Sequence, residues 1–192
     1  MIIKKEIRIV GWDDGPFPKG EKGKVPVIGS IFRGGSFLDG LLKIDVEIDG
    51  MDATDKIIES IKKTKHEDLR IIMTDGITFG GFNVIDIEKI HKETELPVIV
   101  IIRKKPNMEK FINAMSNLDN FEERKKCVEK AGKFYEAKSM DKIVYFQKIG
   151  LSEDDAKKVI NISCTRSVIP EAIRVSHIIA SGIVKGESIG RA

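Results

Sequence analysis

Soft-metal and disulfide chemistry has little to work with in this chain. It holds two cysteines, Cys127 and Cys164, far apart and outside any CxxC or Cys/His pattern. That excludes a zinc module and a disulfide scaffold, and it suits a reducing compartment. Long apolar runs are missing too: none approaches 18 residues, and the opening MIIKKEIRIVGW is too charged, and too short in its apolar part, for a secretory signal. The expectation is a cytoplasmic chain without a membrane partner. Charge of one sign is also scarce, with 33 basic against 30 acidic residues and a net charge of +3. Such a balance permits a nucleic acid partner without demanding one. The motifs GxxxxGK[ST], strand-coupled GxGxxG and HExxH are all absent, which disfavours phosphate-loop, dinucleotide and metalloprotease readings.

What is present is apolar material for one core: 192 residues, 41% hydrophobic, with six prolines, read as a single domain over 1–192. At 33% the charged fraction is high and suits ion-pair networks on a solvated surface. Ile7, Ile9 and Val10 form a strand that runs into the breakers Gly11-Trp12-Asp13-Asp14-Gly15-Pro16. Residues 25–32 read as a second strand ended by Arg33-Gly34-Gly35. Residues 41–48 alternate, Leu42, Ile44, Val46 and Ile48 against Lys43, Asp45 and Glu47, as a half-solvated strand antiparallel to its neighbour does. The period then changes. A helix starts near Asp52, with Ile57, Ile58 and Ile61 as its stripe. Arg70-Ile71-Ile72-Met73-Thr74-Asp75-Gly76 is a buried strand. A helix is expected over 84–92, and the β-branched run at 96–102 suits a parallel strand covered on both faces. Residues 106–137 are charged and helical in pattern, a candidate helical insertion over about 106–140. A short strand follows at 143–146, a helix capped by Ser152, and a last helix opening at Pro170 and ending before the glycine-punctuated tail Lys185 to Ala192. The expected class is α/β: an antiparallel meander followed by parallel strands in one mixed sheet, with helices on both faces.

Acids at strand ends are the chemical signal. Asp13 and Asp14 close the first strand, at the sheet edge where ligands collect in open α/β folds. Adjacent strand residues point to opposite faces, so one of the two faces the site; Asp-Asp-Gly-Pro also makes a turn by itself. Asp75 repeats the arrangement before a glycine-containing loop. If the two strands are neighbours their carboxylates converge, and like charges that close favour a cation between them. Oxygen donors without a nearby histidine or cysteine suit Mg²⁺ or Mn²⁺ rather than zinc. Asp52 doubles as a helix N-cap, with Asp55 placed for a capping box. Arg103-Lys104-Lys105 follows a strand that, if parallel to the one ending in Asp75, brings them to the same edge, where they suit phosphate oxygens. In the last helix Glu171 favours the helix dipole, and His177 shares a stripe with Ile173, Ala180 and Val184, which reads as a core histidine.

Several segments carry a resemblance: Ile9-Val10-Gly11-Trp12-Asp13, Asp49-Gly50-Met51-Asp52-Ala53-Thr54-Asp55, Thr74-Asp75-Gly76, and Ile169-Pro170-Glu171-Ala172-Ile173-Arg174-Val175-Ser176-His177 with Gly186-Glu187-Ser188. Together they resemble the archaeal endonuclease dU family, a relative of endonuclease V. The resemblance implies a ribonuclease H-like fold and Mg²⁺-dependent nicking of DNA or RNA near deaminated bases. It implies Asp13 rather than Asp14 as a metal ligand, Asp75 as another, Asp52 in the place of a catalytic glutamate and as the third acid on the metal, and Arg103 in the place of a post-strand lysine. Lys104 and Arg166 join Arg103 as substrate contacts. Where endonuclease V carries Gly-His-Arg, this chain has Cys164-Thr165-Arg166, so Glu171 or His177 takes the histidine's place or nothing does. The reading is a Mg²⁺-dependent endonuclease acting on nucleic acid. Its rivals are a binding module with a degraded site and a Mg²⁺-dependent phosphatase or nucleotide hydrolase.

Overall fold

The computed structural model describes residues 2–189; Gly190, Arg191 and Ala192 of the tail lie outside the described residues. Three strands open the chain as a meander, β1 (Arg8–Asp14), β2 (Lys24–Arg33) and β3 (Phe37–Glu47). Helix α1 (Ala53–Lys63) leads to β4 (Ile71–Asp75), and a small hairpin of β5 (Thr78–Phe79) and β6 (Asn83–Val84) leads to α2 (Ile87–Thr94) and β7 (Val98–Ile102). Helices α3 (Met108–Met115) and α4 (Phe121–Lys130) precede the hairpin of β8 (Tyr135–Ser139) and β9 (Lys142–Ile149). Helices α5 (Glu153–Ser163) and α6 (Glu171–Lys185) complete the order. The main sheet runs β3-β2-β1-β4-β7-β9-β8, parallel at β1–β4 and β4–β7 and antiparallel elsewhere. This is the mixed sheet expected of the ribonuclease H-like class.

The pleat sorts each strand into two cores. Val10 and Trp12 of β1, Ile72 of β4 and Val98 and Val100 of β7 pack beneath α1 and α2, with Met115 of α3 and Val128 of α4 joining them. Ile9, Ile71, Met73, Ile99 and Ile101 face the other way, under Val159 and Ile160 of α5 and Ala172 and Ile173 of α6. Helices therefore cover both faces, and no helix among the described residues is long and apolar enough to cross a membrane.

Three local expectations change. The loop after Asp75 contains the β5–β6 hairpin, so α2 begins at Ile87 rather than near Val84. Residues 106–137 form two helices whose apolar faces lie in the core, and Tyr135 to Ala137 are strand: Ala137 is buried while Glu136 and Lys138 are exposed, a period of two that the charged run around them obscures. Pro170 stands at the N-cap of α6, one residue before its first turn. Arg124 of α4 is 2% exposed and has no carboxylate partner among the described residues; its guanidinium donates instead to the carbonyls of Asp49, Gly50, Phe82 and Asp119, the first and last at 2.6 and 2.9 Å. A planar fork with five donors is suited to that task.

Helix α6 and β1 meet backbone to backbone. A Cβ on Gly11 would fall 2.5 Å from the Ala172 carbonyl carbon and 2.6 Å from the Ile173 nitrogen. Ser176 Oγ donates to the Gly11 carbonyl at 2.7 Å and accepts the Ser30 amide at 2.9 Å, and Ser30 Oγ donates to the Ala172 carbonyl. Gly11→Ala should therefore lift α6 off the sheet and lower stability by ~1–3 kcal/mol, as overpacking of a filled core does. Thermal melting of the variant checks this; a melting temperature equal to the parent's would show that the contact yields freely.

Candidate active site

Strands β1 and β4 run side by side with Trp12 opposite Thr74, so the next residues, Asp13 and Asp75, follow where that ladder ends, at the carboxyl edge of the sheet. Asp13 continues the Ile9–Gly11 row and Asp75 the Ile71–Met73 row, which places both on the α6 face. Asp13 is 4% exposed and Asp75 half-buried. Burial pushes both carboxyls above the usual range. For Asp13 the hydrogen bond from His177 opposes the rise and the charge of Asp75 adds to it; for Asp75 the charge of Arg103 opposes.

His177 follows Ser176 on α6, and the seating of Ser176 on Gly11 delivers it to the site. Its Nδ1 lies 2.9 Å from Asp13 Oδ2, while the Asp14 amide donates to Asp13 Oδ1 at 2.9 Å. The half-exposed imidazole is thus no core histidine, although it shares a helical stripe with Ile173 and Ala180. Its hydrogen bond to Asp13 raises its pKa above the ordinary histidine value, against the opposing effect of burial. Asp14 points to the opposite face, where its Oδ2 accepts the Gly80 amide at 2.6 Å, and burial pushes it up to about 6.

Asp52 belongs to a separate network. It occupies the N-cap position of α1, but its side chain caps no helix amide. Its Oδ1 accepts from Asn83 Nδ2 at 2.6 Å and from the Glu47 amide at 3.1 Å, and its Oδ2 pairs with Lys56 at 2.6 Å. Burial works to raise this carboxyl, yet the bonds from Lys56, Asn83 and Glu47 prevail and hold it below the usual range. Asp55 makes no capping box; it pairs with Lys89 across to α2 at 2.6 Å. Among the described residues no three histidine, cysteine, aspartate or glutamate side chains are placed to hold a metal ion together. The structure brings Asp13, Asp75 and His177 to one edge and leaves Asp52 with Asn83, a residue that the sequence reading overlooked inside its glycine loop.

Arg103, just past β7, reaches Asp75 Oδ2 at 3.4 Å, a long and half-exposed pair, and Lys104 follows it at the surface. Glu171 is 3% exposed and does not reach the acids. It accepts from Arg174 through both Nε and Nη2 and from the Arg166 amide at 3.0 Å. Thr165, where the resemblance led to a histidine, donates to the Gly35 carbonyl at 2.8 Å and anchors the same loop. Glu171 and Thr165 shape the approach to α6, and of the two substitutes weighed for the missing histidine only His177 stands at the site. Glu171→Gln should therefore lower stability by ~1–3 kcal/mol, because Arg174 loses its charged partner and the buried amide bonds weaken. Urea denaturation checks it, and an unchanged midpoint would show that the loop holds without this pair.

Comparison with known proteins fits this geometry. The endonuclease dU family model matches residues 5–184. The UPF0215 protein of Methanothermobacter thermautotrophicus is 46% identical over 192 residues, covering 99% of this chain and 94% of that protein. A crystal structure of a protein of unknown function from Archaeoglobus fulgidus superposes with a TM-score of 0.84 at 40% identity, covering 93% of this chain and 99% of that one. Ciona intestinalis endonuclease V, solved with a 24mer DNA containing an inosine followed by a ribo-adenosine, shares the fold at a TM-score of 0.55 and 13% identity, covering 88% and 82% of the two chains. The chain belongs to the endonuclease dU family and has the fold of endonuclease V.

Proposed function

We propose that this protein is a divalent-metal-dependent endonuclease that hydrolyses a phosphodiester of nucleic acid. One observation carries the reading: two carboxylates, Asp13 and Asp75, stand at the ends of adjacent parallel strands, where burial, and the charge of Asp75 on Asp13 and of Asp14 on Asp75, disfavour their charged forms. The donor set fits a hard cation, since Mg²⁺ or Mn²⁺ takes one or two carboxylates and completes its shell with waters and substrate phosphate. Asp13 and Asp75 would hold that ion; a three-acid cage including Asp52 is not needed. When bound, the ion lowers the pKa of a coordinated water and neutralises phosphate charge.

The chain's own residues supply the rest. Asp13 orients His177 through Nδ1, and Nε2 has no partner among the described residues, so the imidazole holds a proton for the leaving oxygen. Arg103 exchanges its long contact with Asp75 for a phosphate oxygen, and Lys104 adds a second positive charge. Asp52 acts one step away, fixing the corner between β3, α1 and β6 through Lys56 and Asn83. The family description and the inosine-containing DNA of the Ciona endonuclease V structure support deaminated bases, dU and inosine, as substrates.

The test is a panel of dU, inosine and undamaged oligonucleotides, as DNA and as RNA, with Mg²⁺, Mn²⁺ or EDTA. Cleavage is expected only with metal. Asp13→Asn should abolish it by a factor of at least ~100 without lowering the melting temperature of the metal-free protein, since a buried charge is removed and Asn suits the turn. His177→Gln should slow it by at least ~10-fold. Asp52→Asn should leave most of the rate and act mainly on stability, whereas a loss of ~100-fold would make Asp52 a third ligand. Parental cutting by Asp13→Asn would end the reading. Binding without cutting by the parent would favour a non-catalytic module, and release of phosphate from nucleotides a phosphatase.

A further inference from the structure

Beside the acid edge lies a groove of about 610 Å³, walled by the ends of β7 and β9, the loop before α6 and α6 itself. Arg103 belongs to both places: it lines the groove and contacts Asp75 at 3.4 Å, so the two are continuous. Arg174 also lines it but is neutralised by Glu171. Lys104, Lys142 and Arg166 are exposed there and make no ion pair among the described residues, and the one acid on the rim is Asp141. A concave surface with several uncommitted cations fits a polyanion.

The opposite lip is apolar. Met140 and Ile143 are each 53% exposed, and Ile178 of α6 is exposed beside them. Met140 sits in the two-residue turn between β8 and β9, where Ser139 pairs with Lys142, and its φ is 54°. Glycine and asparagine suit that conformation; an unbranched apolar side chain does not. Neither folding nor solvation accounts for methionine at this tip, whereas contact with a flat apolar surface does.

We propose that this groove seats a single strand of nucleic acid running out of the Asp13–Asp75 site, with phosphates on Lys104, Lys142 and Arg166 and an unstacked base against Met140, Ile143 and Ile178. The inference rests on the nuclease reading for the strand's direction but not for its binding. A single strand is favoured over a duplex because the apolar lip needs an exposed base face, and aliphatic contact with that face reads no base edge.

Fluorescence anisotropy with a labelled oligothymidylate of about 15 nucleotides tests it on the full chain in EDTA, where metal-dependent hydrolysis cannot contribute. The double variant Lys142→Ala/Arg166→Ala should bind roughly 10–100-fold more weakly, and the slope of log affinity against log salt should shrink by about 1.4, the amount for two phosphate contacts on a single strand. Met140→Gly should weaken binding several-fold with the slope unchanged and the melting temperature no lower than the parent's. Parental affinity and slope in the double variant would overturn the proposal, as would parental affinity in Met140→Gly, tighter binding of a duplex of equal length, or no binding of the oligothymidylate at all. Loss of cutting with this binding intact would count against the nuclease reading alone.

Discussion

Helix α6 meets β1 with no side chain between them at Gly11, and the chemistry of the edge follows from that contact. A helix held at ordinary distance by even one Cβ would carry His177 away from Asp13. Ser176 and Ser30 turn the close approach into a fixed register, because each serine bonds across the gap and the buried polar atoms leave no alternative partner. One glycine, two serines and the histidine that follows the second therefore form a single device: spacing, registration and delivery of an imidazole to a carboxylate.

The same edge concentrates unfavourable charge. Asp13, Asp14 and Asp75 gather where two parallel strands end, and the pleat splits them, Asp13 and Asp75 to one face and Asp14 to the other. Each finds its own compensation, His177, Arg103 or the Gly80 amide. The compensation at Asp75 is the weakest, a 3.4 Å contact to a half-exposed arginine. A cation is most welcome where the protein supplies least.

Much of this was legible in the residues alone. The meander, the buried parallel strands and the pairing of Asp13 with Asp75 follow from a period of two ending twice in an acid. The same alternation sends Asp13 and Asp14 to opposite faces, and the family resemblance marks Asp13 as the one at the site. The role of His177 was not legible: its helical stripe reads as core, and only the depth at which α6 sits on Gly11 carries it to Asp13. Asp52 was half legible for a related reason. Helix-start spacing placed it correctly, but its side-chain direction depends on Lys56 and Asn83, one of them 31 residues away. The strand at Tyr135–Ser139 was hidden because its outward residues are charged like the helices before it, and two buried residues are too few to mark a period.

Arg124 has a consequence of another kind. Its guanidinium joins the turn after β3, the β5–β6 hairpin and the start of α4 through four carbonyls, and none of these segments can release it singly without stranding a buried cation. Opening at that end of the molecule is therefore cooperative, and amide protons in the three segments share one slow exchange process rather than three fast ones. The corner that holds Asp52 and Asn83 is tied into the same frame, at the edge of the sheet away from the β8–β9 tip and its groove.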